Sequence, residues 1–411
     1  MRVCLSMTIT QMVLYTESSE HIVGETCPDP TDITAVNETA NVSVIFRNTE
    51  RYDWDEATQG FLLSAFYYGY VITHLPGGLL AERFGGKWTV GLGLLLTSVA
   101  TALTPFAVRI GGATGLFIIR VIEGLGESVL CYNTPNVHPF ISDEEREFLN
   151  ANIEASGLKR KLNPVPFKAI LRSAPLWVLV MAAIGHDWGY FTMITDLPKY
   201  FYDVLKFNYK ETGLMAALPY IAMYVCSFVF AGLCDLCIRK KWHTISTGRK
   251  IYTTVSSSVP ALFIILASYS GCNREAAVAL FITSMAFMGG FYSSVKINAM
   301  DIAPNYAGTC SAFANGIAAI SGIITPYLFG LLTPDQTIGQ WRIAFWTVFA
   351  VLVGTNIVYL IWGSGEQQWW DDVDKLGYPP DWKHGPLKKR IVDTEKKIVH
   401  PKHEHSPVST D

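Results

Sequence analysis

Three charges sit where a hydrophobic segment should carry none. Arg120, Glu123 and Glu127 lie in RVIEGLGESVLCYNTPNVHP (residues 120–139), directly behind an apolar run. Offsets of zero, three and seven place them on one face of a helix. Each charge near the centre of a membrane helix costs roughly 2.5–3.5 kcal/mol on insertion scales. A lipid-facing helix would not keep three, so this face must turn to a bundle interior or a watery cavity. There an arginine attracts an anion, and a carboxylate held away from water can take up and release a proton near neutral pH. An Arg–Glu network that only orders the bundle accounts for the same residues without any substrate. His186, beside Asp187 in GHDWGYF, is the other titratable candidate inside an apolar run. Histidine changes charge near neutral pH, which allows proton linkage; a buried, hydrogen-bonded histidine explains it equally well.

The elements that must position these groups are long apolar blocks. Half of the 411 residues are hydrophobic and 16% are charged. The apolar residues gather near 58–80, 88–108, 111–132, 174–198, 211–234, 249–270, 276–296, 305–332 and 340–363, each close to the length that crosses a bilayer core. The expectation is an all-α polytopic membrane protein embedded in the lipid bilayer. The opening MRVCLSMTITQMVLY is apolar but too short to span. A net charge of −3 without a basic-aromatic pattern gives no reason to expect nucleic acid. The eight cysteines are scattered, mostly within spans, and imply no disulfide framework; the pair Cys234 and Cys237 lacks the second pair that a metal site needs. No metal-ligand helix, nucleophile motif or phosphate loop points to an enzyme, and no cofactor is implied.

Orientation follows from two signals. Residues 16–56 are polar and hold sequons at Asn37 and Asn41, which are glycosylated only on the luminal or exterior side. Arg83 and Lys87, the cluster Lys159–Lys161 with Lys168 and Arg172, and the cluster Arg239–Lys241 with Arg249 and Lys250 all fall, by alternate counting, on the opposite side. That is the cytoplasmic side by the positive-inside rule. The stretch 133–173 reads as a cytoplasmic central loop with a solvated helix, and 365–411 as a flexible cytoplasmic tail. His74 and Lys296 lie near cytoplasmic ends, where snorkelling explains them. The small residues from Gly308 to Gly322 would let helices approach closely.

A short internal repeat links the halves. GLLAERFGGKW (78–88) and GLCDLCIRKKW (232–242) both open on Gly-Leu, carry an acid and end on Lys-Trp, and both join spans on the cytoplasmic side. Parallel repeats of this kind build transporters from two bundles with the substrate site between them.

The first of these loops resembles the signature of the major facilitator superfamily through Gly78, Glu82, Arg83, Gly85 and Lys87, although the acid is usually Asp. FYYGYVITHLPGGLLAERFGGK is similar to the anion:cation symporters of solute carrier family 17, which include sialin, the vesicular glutamate transporters and the sodium–phosphate cotransporters. NAMDIAPNYAGTCSAFANGIAAISGIITP resembles that family's other signature through Asn298, Asp301, Pro304, Gly308, Asn315 and Pro326. The resemblance implies a major facilitator fold with alternating access and a small anionic substrate of the sialic acid, acidic amino acid, urate or phosphate type. The coupling ion would be H+ or Na+, and the membrane plasma, lysosomal or vesicular. It implies anion binding by Arg2 and Arg120, proton coupling by Glu127 or Glu123, and a cytoplasmic latch of Glu82, Arg83 and Lys87 with Asp235 in the second repeat. His186 stands where the vesicular glutamate transporters carry an arginine. The resemblance also implies that span four is joined directly to the end of span six, at Tyr132–Ser142. About nine full spans plus a clipped first helix would then remain. They would form a partial N-terminal bundle (1–132) and a complete six-helix C-terminal bundle (174–364). Loss of an even number of spans preserves every later orientation. A shortened form that does not transport is the alternative reading.

Overall fold

Inside a bilayer every backbone N–H and C=O must find its partner within the protein, which leaves helices as the simplest solution. The computed structural model follows this rule. It describes residues 2–13, 27, 52–84, 86–127, 142–155 and 165–371, and the side chains of Arg2 and of 78–88 are not described. Among the described residues the elements are helical, with one isolated bridge between Val13 and Tyr52. The chain divides into two compact units, Met1–Gln367 and Gln368–Asp411. In the second, a turn is closed by Asp371 N–H donating to the Gln368 carbonyl at 3.0 Å.

In the first unit, α1 (Arg2–Met12) is the short apolar stub, and α2 (Glu56–Phe84) follows. α3 (Gly86–Glu127) is one element by hydrogen bonding but two antiparallel legs in space. The chain reverses at Gly112, whose φ of 54° and ψ of −133° suit only glycine. The legs touch so closely that a Cβ at Gly115 would lie 2.0 Å from the Ala107 carbonyl oxygen. This reversal falls at the start of the second of the two apolar blocks expected at 88–108 and 111–132. α4 (Asp143–Ala155), with three acids in its first turn, is the solvated helix of the central loop. Next come α5 (Phe167–Leu171), α6 (Ala174–Thr195) and α7 (Leu197–Asp203).

α8 (Tyr209–Arg239) begins with a capping box of Asn208 and Glu211, and α9 (Ile245–Tyr269) with a Thr244 cap. α10 (Arg274–Met288) runs through a 3₁₀ segment, Gly289–Ser293, into α11 (Val295–Ile302). α12 (Ala307–Ala318), α13 (Ser321–Leu332) and α14 (Ile338–Trp362) complete the bundle. Among the described residues, six stretches are long and apolar enough to cross a membrane: Thr89–Glu127, Lys210–Arg239, Ile245–Tyr269, Arg274–Ile302, Ala307–Leu332 and Ile338–Trp362. Their outer faces carry exposed Leu92, Ile110, Phe228 and Ile361, as lipid-facing surfaces should.

One seam joins the N-terminal helices to the C-terminal ones. α2 runs antiparallel to α12 and α13, more closely against α13. A Cβ at Gly60 would meet the Pro326 carbonyl oxygen at 2.3 Å, one at Gly330 the Glu56 carbonyl oxygen at 2.4 Å, and one at Gly322 the Tyr67 ring at 2.4 Å. Gly60 and Gly330 thus set the distance between the backbones, while Gly322, within the 308–322 pattern, admits the Tyr67 ring.

A disulfide between Cys27 and Cys272 corrects the expectation that the cysteines form no bridge. Their scattered spacing hid the pair, since the partners are 245 residues apart. Cys27 belongs to the sequon-bearing loop. Cys272 sits at the end of α9 remote from the 239–250 cluster. The bridge therefore joins two loops assigned to the same exterior face, where oxidising conditions hold. We expect Cys27→Ser and Cys272→Ser to yield one newly labelled thiol each with a membrane-impermeant maleimide applied from the exterior or lumen. Labelling of either thiol only from the cytoplasm would overturn the orientation.

Candidate functional site

The second leg of α3 turns its charges inward. Arg120 and Glu123 are 5% and 1% exposed, and the Arg120 guanidinium donates from Nη1 to Glu123 Oε2 at 2.7 Å. The first leg supports the acid: Thr104 Oγ1 donates to Glu123 Oε1 at 3.2 Å, and Thr97 Oγ1 to the Glu123 carbonyl oxygen at 3.2 Å. The guanidinium lies 5.5 Å from the centre of the Phe66 ring of α2, near enough for a cation–π attraction. Arg120 Nε has no hydrogen-bond partner among the described residues. Glu127, the last residue of α3, is half-buried.

Facing this wall, α6 contributes His186, which is 3% exposed. Its ring stacks on Phe291 of the 3₁₀ segment, with centres 3.6 Å apart and planes 1° from parallel. His186 Nδ1 has no partner among the described residues. Lys296, at the start of α11, donates from Nζ to Asn315 Oδ1 of α12 at 2.5 Å and lies 5.6 Å from the Phe291 ring centre. Snorkelling is therefore the wrong account of both residues assigned to it. His74 is 1% exposed, packed between Tyr70 and Gly316, and Lys296 reaches across to another helix. Ring contacts run unbroken from Arg120 to Lys296 through Phe66, Tyr67, Phe191, Tyr190, His186 and Phe291. A chain of ring contacts thus links Arg120 and Glu123 of α3 to His186 of α6, crossing from the N-terminal to the C-terminal helices.

Towards the end of the bundle where α2 begins, the end expected to face the exterior, lies a buried polar cluster that sequence reasoning missed. Lys199 of α7 is paired with Glu56 at the start of α2 and donates to Gln59 Oε1 at 2.9 Å. Gln336 Nε2 donates to Glu56 Oε2 at 2.9 Å and accepts from Trp341 Nε1 at 2.8 Å. Asp196, 3% exposed, accepts from Thr195 Oγ1 at 2.8 Å alongside. The partners are 143 and 280 residues apart, so no local period could reveal them.

At the opposite end, expected to face the cytoplasm, Asp301 receives two bonds from Arg249, from Nε at 2.7 Å and Nη2 at 3.3 Å, while Arg249 Nη1 also reaches the Ser293 carbonyl oxygen. Asp235, expected in a latch here, is exposed. Asn298 donates to the Tyr359 hydroxyl at 2.7 Å. Pro304 lies between α11 and α12, Gly308 opens α12, and Pro326 meets α2 in the seam. Arg2 lies on α1, and Gly78, Glu82 and Arg83 on the last turns of α2. The side chains of these residues and of Lys87, together with Gly85, Asn37 and Asn41, lie outside the described residues.

Two long helical halves, a broken helix at mid-bundle and charges gathered between them are transporter architecture. The family model described as Major Facilitator Superfamily matches residues 32–137 and 133–326. The chain belongs to the major facilitator superfamily. Within it, the relatives place the chain in solute carrier family 17. Human sialin is 31% identical, with 92% of this chain and 88% of sialin covered. A putative inorganic phosphate cotransporter of Drosophila ananassae is 30% identical over 90% of this chain and 91% of its own. Human vesicular glutamate transporter 2 is 24% identical over 80% of this chain and 69% of its own. Two solved structures share the fold at a TM-score of 0.53. The D-xylose-proton symporter is 13% identical, covering 76% of this chain and 89% of its own; the nucleoside transporter NupG is 12% identical, covering 76% and 92%. The protein is an integral membrane transporter rather than an enzyme.

Removing one partner of a buried ion pair costs about 3–5 kcal/mol, whereas replacing both with apolar residues costs far less. We therefore expect Glu123→Gln to lower the thermal unfolding temperature in detergent, and Arg120→Met with Glu123→Leu to recover most of the loss. Equal stability of the single variant would show that the pair carries no structural weight. For the exterior cluster, Lys199→Glu should expose a cysteine placed at Leu63 to exterior maleimide. The charge-swapped double variant with Glu56→Lys should protect it again.

Proposed function

We propose that the protein moves small organic or inorganic anions across the membrane by alternating access, coupled to a proton or sodium gradient. The observation that carries this reading is Arg120. It is a buried cation on the face between the halves, held by Glu123 at 2.7 Å with its Nε left unpartnered. An arriving carboxylate or phosphate can compete with Glu123 for the guanidinium, whose planar fork suits either group. Substrate binding then frees Glu123 from the guanidinium, which ties the surroundings of this acid to the occupancy of the site. Glu127, one turn further towards the helix end, is the second candidate for the coupling acid. The relatives named for phosphate, sialin and glutamate transport support an anionic substrate.

In this reading the chain comprises a partial N-terminal bundle (1–132), a cytoplasmic loop (133–173), a six-helix C-terminal bundle (174–364) and a tail (365–411). Two findings favour a missing internal segment. The family model matches in two pieces that meet at 133–137, where span four is joined to the end of span six. The alignment to the Drosophila ananassae relative runs over 449 positions, more than the 411 residues of the chain, although it uses 90% of them. These same findings keep alive the second reading, a shortened form that does not transport.

The deciding experiment is anion uptake into proteoliposomes under separate proton and sodium gradients, beside a chain with two spans restored after Glu127. Uptake by this chain that is abolished in Arg120→Gln supports transport. Glu127→Gln is expected to preserve exchange of labelled for unlabelled anion but to lose accumulation driven by the gradient. Uptake by the restored chain alone would establish the shortened, non-transporting form.

A further inference from the structure

Among the described residues, the other buried cations of the bundle each face a carboxylate: Arg120 meets Glu123, Lys199 meets Glu56 and Arg249 meets Asp301. Lys296 does not. Its ammonium is held by the neutral Asn315 amide oxygen and by the face of Phe291, and no carboxylate lies within 4.0 Å among the described residues. On α6, Asp187 attracts it from beyond ion-pair distance, and His186 shares its ring platform. A cation left this way inside a membrane protein is expensive unless something else supplies the negative charge.

A small, partly open cleft adjoins the ammonium between α6, α11 and α12, lined by Lys296, Asn315, Ser311 and Phe291, with Leu179 and Ala183 behind. Its polar atoms, an ammonium, an amide and a hydroxyl, can all donate to an oxyanion. The chain break that opens it is built in: Ser294, with φ −116° and ψ −90°, separates the 3₁₀ segment from α11, so that the helix restarts one residue before Lys296. The restarted helix points its N-terminus, the end that favours negative charge, at the same place. His186 adds a buried, unpartnered Nδ1 on the same ring platform.

We propose that Lys296, with Asn315 and Ser311, forms a second oxyanion subsite belonging to the C-terminal half, and that Lys296 is its charged anchor. The occupant is the carboxylate or phosphate group of a small anion. This rests on the anion-transport reading and deepens it. Arg120 engages the anion from the N-terminal half and Lys296 from the C-terminal half, at the two ends of one chain of ring contacts. A cation on each half gives the substrate different contacts as the halves rock, which is how binding biases a two-state transporter.

The test is ligand-induced thermal stabilisation of the purified full chain, with sialic acid, glutamate and inorganic phosphate as probes, and proteoliposome uptake measured in parallel. We expect stabilisation by at least one probe in the wild type. In Lys296→Met the midpoint concentration should rise about tenfold or more, the scale of one lost charged hydrogen bond. Lys296→Arg should restore part of it, and the unliganded unfolding temperature should stay within the spread of repeated measurements. A preference for sialic acid or glutamate identifies a carboxylate as the occupant, and a preference for phosphate identifies a phosphate. The proposal is overturned if no probe stabilises the wild type, or if Lys296→Met binds as the wild type does. Binding that depends on Lys296 without uptake by the wild type would uphold the subsite and sink transport.

Discussion

A charge inside hydrocarbon has to be answered by another group, and most of the internal organisation of this protein follows from that demand. The ion pairs Arg120–Glu123, Lys199–Glu56 and Arg249–Asp301 lie at different depths of the bundle. The first ties the two legs of α3 through Thr97 and Thr104, the second spans the seam from α2 to α7, and the third ties α9 to α11. Each joins elements that apolar contacts alone would leave free to slide, because helices in lipid gain little from burying one apolar face against another. The pairs supply direction where hydrophobic packing supplies none.

The backbone distances complement this. Where α2 meets α13, glycine and the Pro326 carbonyl allow near contact, and the residues that fill the remaining space are Tyr67 and His74. The charged cluster where α2 begins and small residues along the seam make this the region where the halves are held together, at the end expected to face the exterior. The disulfide from Cys27 to Cys272 adds a covalent tie on that same side. In a transporter of this superfamily the two faces of the seam must open in turn. Contacts gathered at one end leave the other end freer to part.

Much of the helix layout was legible because hydropathy is a local signal. The blocks at 211–234, 249–270 and 340–363 became α8, α9 and α14 with small changes at their ends. The boundary expected between the blocks 88–108 and 111–132 lies within a few residues of the reversal at Gly112 in α3. The breaks at 289–294 and 319–320 were not legible, since Gly289 and Gly290 stand in an apolar run that continues on either side. The spacing of Arg120 and Glu123 foretold a shared helical face, and their pairing needs only one turn. Lys199 and Lys296 could not be placed the same way. The meaning of a lysine depends on what faces it, and Glu56 and Asn315 come from other helices. The cysteine bridge failed for the same reason, as its partners share no segment.

The join proposed near residue 132 is compatible with a folded membrane protein when it removes an even number of spans. Removal of one span would invert every helix that follows and put the clusters at 159–172 and 239–250 on the exterior. Removal of two leaves those charges cytoplasmic and leaves Cys272 on the face of Cys27, where the bridge is found. The C-terminal helices then keep their own contacts, with Tyr200, Phe281, Trp341 and Phe345 in one core. What two lost spans would take away is one wall of the space between the halves. Arg120 keeps its acid and its aromatic neighbour without that wall, because both come from α2 and α3. The charge that defines the site is therefore held by elements the chain retains, while the enclosure around it is the part that the join would weaken.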